Sequence, residues 1–167
     1  MRTKEYPSWL VSVEVAKELK QIGFDEPAMF YLIDRSGQIL LNPDNGGVDL
    51  CGVYSLELEG ILLSDYNDES FNVRGTTSIP DFEQVLNWFR KRGIVGSVIF
   101  KPSTKLFKGE VYFWYETIKV WRKITTFSRE EYITARNELV MMMIECYKQN
   151  KPYLKSAEND TEKEENK

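Results

Sequence analysis

The sequence predicts an α+β fold: an antiparallel sheet packed by three helices, in the order α-β-β-(β)-α-β-β-β-α. The sheet combines an N-terminal hairpin and a central three-strand meander. Two observations carry this. Three segments repeat apolar residues at helical spacing between recognisable start and stop signals, and short runs of strand-forming residues separated by turn formers lie between them. The 167 residues are 42% hydrophobic and 29% charged, with nine Phe, nine Tyr and four Trp. That length and content suit one α+β domain over residues 1–152, followed by an acidic, disordered tail over 153–167.

The first helix spans Val13–Ile22. Ser12 is placed to cap it by accepting from a free amide of the first turn. Val15, Ala16, Leu19 and Ile22 form one apolar stripe, and Gly23 provides the left-handed residue that ends it, with Phe24 folding back. MFYLID (29–34), a turn at Arg35-Ser36-Gly37, and QILL (38–41) make a hairpin. NPDNGGVDLCG (42–52) is too rich in turn formers for regular structure. VYSLELEGILL (53–63) alternates as a third strand, and 64–80 reads as a long polar connector.

DFEQVLNWFRKRG (81–93) predicts the second helix. Asp81 and Gln84 have the spacing of a capping box, Phe82, Val85, Leu86 and Phe89 form its apolar face, and Gly93 stops it. Arg90, Lys91 and Arg92 then meet the negative end of the helix dipole. Three strands follow at 94–100, 110–116 and 118–124, the first two joined by a loop over 102–109. SREE (128–131) has capping-box spacing and opens a last helix to Gln149, with Tyr132, Ala135, Leu139, Met142, Met143 and Cys146 inward and Pro152 beyond its end.

Two motifs in this order, LKQIGFDEP and IPDFEQVLNWFRKRG, resemble a group of short, uncharacterised proteins of bacteriophages, prophages and mobile elements of gut bacteria. Those proteins read LKxLGFxEP and then a Pro-capped QxxxWFRxKxG helix. The matching residues are Leu19, Lys20, Gly23, Phe24, Glu26 and Pro27, then Pro80, Gln84, Trp88, Phe89, Arg90 and Gly93. The similarity covers most of 13–150. The chain departs from it by a longer stretch between Asn42 and Ser78 and an acidic extension after Asn150. The resemblance implies a phage-associated protein of the host cytoplasm with no catalytic residues to carry over.

Histidine is absent and there are two cysteines. Catalysis through a Ser-His or Cys-His pair, metal or haem ligation by imidazole, and a disulfide framework are thereby excluded. Neither GxxxxGK[ST] nor GxGxxG occurs, so no cofactor is expected. No apolar run approaches the length of a membrane helix, and the N-terminus lacks the apolar core of a signal peptide. Asp65, Asp68 and Glu69 lack the alternating pattern and turn glycine of a calcium loop, and no metal site is expected. Glu57 and Glu59 share a strand face, and Cys51 would need a cationic neighbour to act as a nucleophile.

Charge is segregated. Residues 1–87 carry net −9, residues 88–123 net +7, and residues 124–167 net −2. The middle block interleaves its nine cations with Trp88, Phe107, Tyr112, Trp114 and Trp121. That pattern makes Arg90, Lys91, Arg92, Lys119, Trp121, Arg122 and Lys123 the candidate nucleic-acid contacts, cations for phosphates and rings for bases. The solvated-face alternative assigns the arginines to a helix end and the lysines to edge protection. Strand VYFWYE puts rings on both sides of its sheet, leaving Phe113 and Tyr115 as candidates, with Asp65, Asp68 and Glu69, for contact with a protein partner. The function expected is a non-enzymatic protein-binding module, nucleic-acid binding being the alternative.

Overall fold

The computed structural model describes residues 7–41 and 74–164, the side chains of 151–164 and of three β2 residues excepted. It has the predicted α+β order: α1 (Val13–Ile22), β1 (Phe30–Ile33), β2 (Gln38–Leu41), β3 (Thr76–Ile79), α2 (Phe82–Arg90), β4 (Ile94–Lys101), β5 (Leu106–Tyr115), β6 (Val120–Arg129) and α3 (Tyr132–Glu164). The strands form two antiparallel three-stranded sheets, ordered β2-β1-β3 and β4-β5-β6. Expected as one domain over 1–152, the chain groups into two compact units, Met1–Val85 and Leu86–Lys167, with the dividing point inside α2. The expected strand at 53–63, together with Cys51, Glu57, Glu59, Asp65, Asp68 and Glu69, lies outside the described residues.

In the first unit, Ser12 caps α1 by accepting from the Val15 amide at 3.3 Å. Gly23 takes φ 88°. There its amide donates to the Lys20 carbonyl at 3.1 Å, and the Phe24 amide donates to Leu19 at 3.0 Å. This double closure satisfies carbonyls that a helix end leaves open. Val15, Ala16, Leu19 and Ile22 are buried, as are Phe24, Phe30, Leu32, Ile39 and Ile79.

The third strand of this sheet is Thr76–Ile79, within the stretch read as a connector. Thr76, Thr77 and Ile79 are β-branched and pair with Ile33, Leu32 and Phe30. Thr77 is buried, its hydroxyl donating to Asp34 at 2.8 Å, so a strand that looks polar in sequence is inside. Lys20 reaches the same corner, 3.5 Å from Asp34 and donating to the Thr76 carbonyl. At the start of α2 the capping box forms. The Gln84 amide donates to Asp81 Oδ1 at 2.8 Å and the Asp81 amide to Gln84 Oε1 at 3.1 Å. Gln84 also donates to the Pro27 carbonyl at 2.7 Å.

In the second unit, β5 is the central strand, and α3 packs against β4 and β5. Gly96 permits close approach of that helix. A Cβ there would lie 2.7 Å from Met143 Sδ and 3.0 Å from Leu139 Cδ1. Trp88 and Phe89 meet the Tyr147 ring at 5.2 and 6.4 Å, so the end of α2 lies with α3. Ala135, Leu139, Val140, Met143, Ile144 and Cys146 complete this core. Tyr132, expected inward, is exposed, although its ring meets Phe107 at 5.3 Å.

The ends of α3 differ from expectation. Ser128 caps no helix, because β6 extends to Arg129 and pairs Ser128 with Lys108. At the other end, α3 continues through Pro152 to Glu164, so residues 153–164 of the expected disordered tail are helical. One proline removes one amide donor, and the Ala-, Glu- and Lys-containing sequence beyond it is compatible with helix.

β6 is bound to β5 by a second close approach. Gly109 pairs with Phe127. A Cβ at Gly109 would sit 2.1 Å from the Phe127 ring. The ring covers bare backbone that a strand glycine leaves unpacked.

Two stability tests follow from these contacts. Gly109→Ala is expected to cost on the order of 1–3 kcal/mol in urea unfolding, through overpacking, and much less in a Phe127→Ala background. Asp81→Ala is expected to cost about 1 kcal/mol, the usual loss for an N-cap.

Candidate functional site

Side chains of a strand alternate between faces, and directly paired residues share one. On β4 and β5 this separates two sets. Ile94, Gly96, Phe113 and Val111 share the face covered by α3. Val95, Ser97, Ile99, Lys108, Glu110, Tyr112 and Trp114 share the other, which β6 extends with Trp121 and Lys123. A bulge between Val111 and Tyr112 leaves Ile124 as the extra residue of β6 and restores the alternation beyond it.

The second face is held by one carboxylate. Glu110 accepts from Lys108 Nζ at 2.5 Å, from Lys123 Nζ at 2.9 Å and from the Tyr112 hydroxyl at 2.8 Å. Its side chain is 12% exposed, against 44% for Lys123. These bonds, that of Lys108 foremost, then those of Lys123 and Tyr112, bring the Glu110 pKa from the usual 4.5 down to about 2. Lys123 is raised above its ordinary value by the bonds to Glu110 and Tyr112. Beside this cluster the Trp114 and Trp121 rings lie 5.4 Å apart, and Trp114 Nε1 donates to Glu116 at 2.5 Å. Trp121 is 46% exposed and Ile99, across the sheet, 51%.

The candidate cations do not converge. Arg90 donates to Asn87 within α2. Arg92 donates to the Trp88 carbonyl at 3.1 Å and lies 3.7 Å from the centroid of that ring, and Lys91 is in the same helix-end turn. Lys119 sits at φ 51° after a 3-10 turn, Glu116–Ile118, and is paired with Glu116. Arg122 pairs with Phe113, on the face opposite Lys123, with its guanidinium 5.5 Å from the Tyr115 ring centroid. Only Trp121 and Lys123 of the seven therefore lie together on the open face. Arg129, not singled out from sequence, is held by Glu138 at 2.5 Å.

The aromatic candidates are corrected similarly. Phe113 is 2% exposed and is core, because α3 covers its face. Tyr115 shares that face, half-buried, its ring 4.8 Å from Phe113. Trp88, counted among the rings interleaved with the cations, is buried as well. Asp65, Asp68 and Glu69 lie outside the described residues. Glu110 and Ile99 were missed. The signal for Glu110 lay in the period-two series Lys108, Glu110, Tyr112, Trp114, which puts all four on one side of a strand.

Cys146 is buried, with its pKa raised to about 11 by burial. Asn150 donates to the Cys146 carbonyl at 2.8 Å and reaches Sγ at 3.7 Å. A thiol so placed is protonated at neutral pH and unreactive. Among the described residues no group of three or more His, Cys, Asp or Glu could hold a metal ion, and no helix is long and apolar enough to cross a membrane.

Fold and site together define an α+β protein that presents an open strand face of aromatic, apolar and internally paired charged residues. No protein-family model matches the chain, and no curated protein or solved structure matches it.

The depressed pKa of Glu110 sets the sign of a pH effect. Its ionised form is favoured by folding, so its contribution is present above about pH 4.5 and is lost as pH falls through about 2. Glu110→Gln is expected to flatten the loss of thermal stability between those values relative to wild type, and added salt to shrink the difference. Equal acid profiles for the two proteins would show that the cluster contributes nothing.

Proposed function

We propose that the protein is a non-enzymatic accessory protein, phage- or mobile-element-associated and working in the host cytoplasm, that acts by binding another protein. The observation that carries this reading is the open face of the second sheet. Ile99 and Trp121 stand out from it by about half their surface, on a sheet backed by α3. Ile99 lies opposite Lys108 and Trp121 opposite Trp114, so the two stand at opposite ends of the face with the Glu110 cluster between them, and exposed aromatic and apolar side chains are enriched in protein contact surfaces. Lys108 and Lys123 on this face share one carboxylate, Glu110, which leaves fewer free cations for phosphate binding and favours a contact with protein.

Nucleic-acid binding draws support from Trp121 and Lys123, which share a face, and from the net +7 of residues 88–123. Against it stand the carboxylates already engaged with Lys108, Lys119, Lys123 and Arg129. A contact with six or more phosphates would require releasing several of these pairs.

Affinity purification of tagged wild type, Trp121→Ala and Ile99→Asp from the native host tests the proposal. A partner recovered reproducibly with wild type and depleted at least tenfold with both variants is expected. Equal recovery by all three moves the contact away from this face. A low-salt gel shift that retards single-stranded DNA or RNA and is lost on Lys123→Gln would replace the proposal by the nucleic-acid reading.

A further inference from the structure

β6 changes phase partway along. Residues 125–129 pair with 107–111 in one register, and residues 120–123 pair with 112–115 in another, one residue displaced, with Ile124 left over between them. Side chains of one parity are divided by this step. Phe127 and Arg129 lie on the face that α3 covers, whereas Trp121 and Lys123 lie on the open face. An unbroken ladder would continue from Thr125 by pairing Ile124 with Tyr112, Lys123 with Phe113, Arg122 with Trp114 and Trp121 with Tyr115. It would carry Trp121 and Lys123 to the other side and bring Arg122 and Ile124 to the open face.

We propose that the outer half of β6, residues 120–124, is a register switch that exchanges the bulged pairing for the unbroken one while residues 125–129 stay fixed. The inner half is locked by the Phe127 ring over Gly109. The outer half has no such lock. Residues 120–124 are all exposed, on both faces of the sheet, and a strand with neither face buried is only weakly held in register. The turn serves both states as well. Lys119 is left-handed at φ 51°. A left-handed last residue closes the present loop over 116–119 and would equally close the shorter one over 117–119 that the unbroken ladder leaves. The bulged state has the Trp114–Trp121 ring contact and the bond from Lys123 to Glu110. The unbroken state recovers the main-chain pairing that a bulge interrupts and sets Arg122 against Trp114. Each of these differences is small, and they oppose one another. A partner that grips Trp121 selects the bulged state, a use that rests on the protein-binding reading, whereas the exchange belongs to the protein alone.

Fluorine NMR of the full chain labelled with fluorotryptophan tests the switch. Trp121→Phe assigns the Trp121 signal, and the buried Trp88 reports an intact fold. Wild type is expected to give a Trp121 signal doubled or broadened by exchange, beside a sharp one from Trp88. Deleting Ile124 makes the pairing of Trp121 with Trp114 free of a bulge, so a single sharp Trp121 signal is expected there. Lys123→Glu removes the bond to Glu110 and is expected to raise the population of the second state roughly threefold, the worth of a partly exposed ion pair. A sharp, exchange-free Trp121 signal in wild type overturns the proposal. Exchange that persists after the deletion overturns it too, since it belongs to the ring and not to the register, as does a second state that Lys123→Glu fails to raise. If exchange is absent and Trp121→Ala still loses the partner, the switch falls and the protein-binding reading stands.

Discussion

Along β5 every second side chain must leave the sheet on the opposite side, and the second unit is organised by that alternation. Val111 and Phe113 go to the face that α3 covers, and Gly109 on the same face receives the Phe127 ring. Lys108, Glu110, Tyr112 and Trp114 are thereby obliged to emerge together on the other face. The strand cannot bury one set without exposing the other. The carboxylate of Glu110 makes the exposed set tolerable. Placed between Lys108 and Lys123 and bonded by Tyr112, it offsets half of the charge of the two lysines. The candidate surface is thus a by-product of the core turned to use.

The parts of the fold legible in sequence are those with local chemistry. Ser12, Gly23, Asp81 and Gln84 act within one turn of themselves, so their spacing alone gives α1 and the start of α2. What was hidden depends on distant partners. Thr76 and Thr77 read as connector because their strand has no apolar alternation, and only pairing with β1 and the acceptor on Asp34 put Thr77 inside. Ser128 and Glu131 have capping-box spacing, yet the ladder with β5 claims Ser128 first. Local preference lost there to tertiary pairing, and Pro152 likewise did not end α3.

For the site, composition was a poorer guide than period. Composition over residues 88–123 offers Arg90, Arg92, Arg122 and Lys123 alike as candidate contacts and leaves open whether they share a face, whereas the fold sends them to a helix end and to opposite faces of a sheet. Adjacent residues on a strand are not neighbours on a surface. The rings divide likewise: Trp88 and Phe113 are core, and Trp121 is exposed on the face opposite the one that α3 covers. Alternation in β5 could have separated the faces in advance, but choosing which one α3 covers requires Gly96, whose role appears only when Met143 and Leu139 are in place.

The ring of Phe127 over Gly109 also specifies the alignment of β6 on β5. A register one residue out of step would set the ring against Lys108 or Glu110, whose Cβ atoms occupy the space that the bare backbone offers. Gly109 is thus a notch for register, marking the alignment in which the Glu110 cluster also assembles.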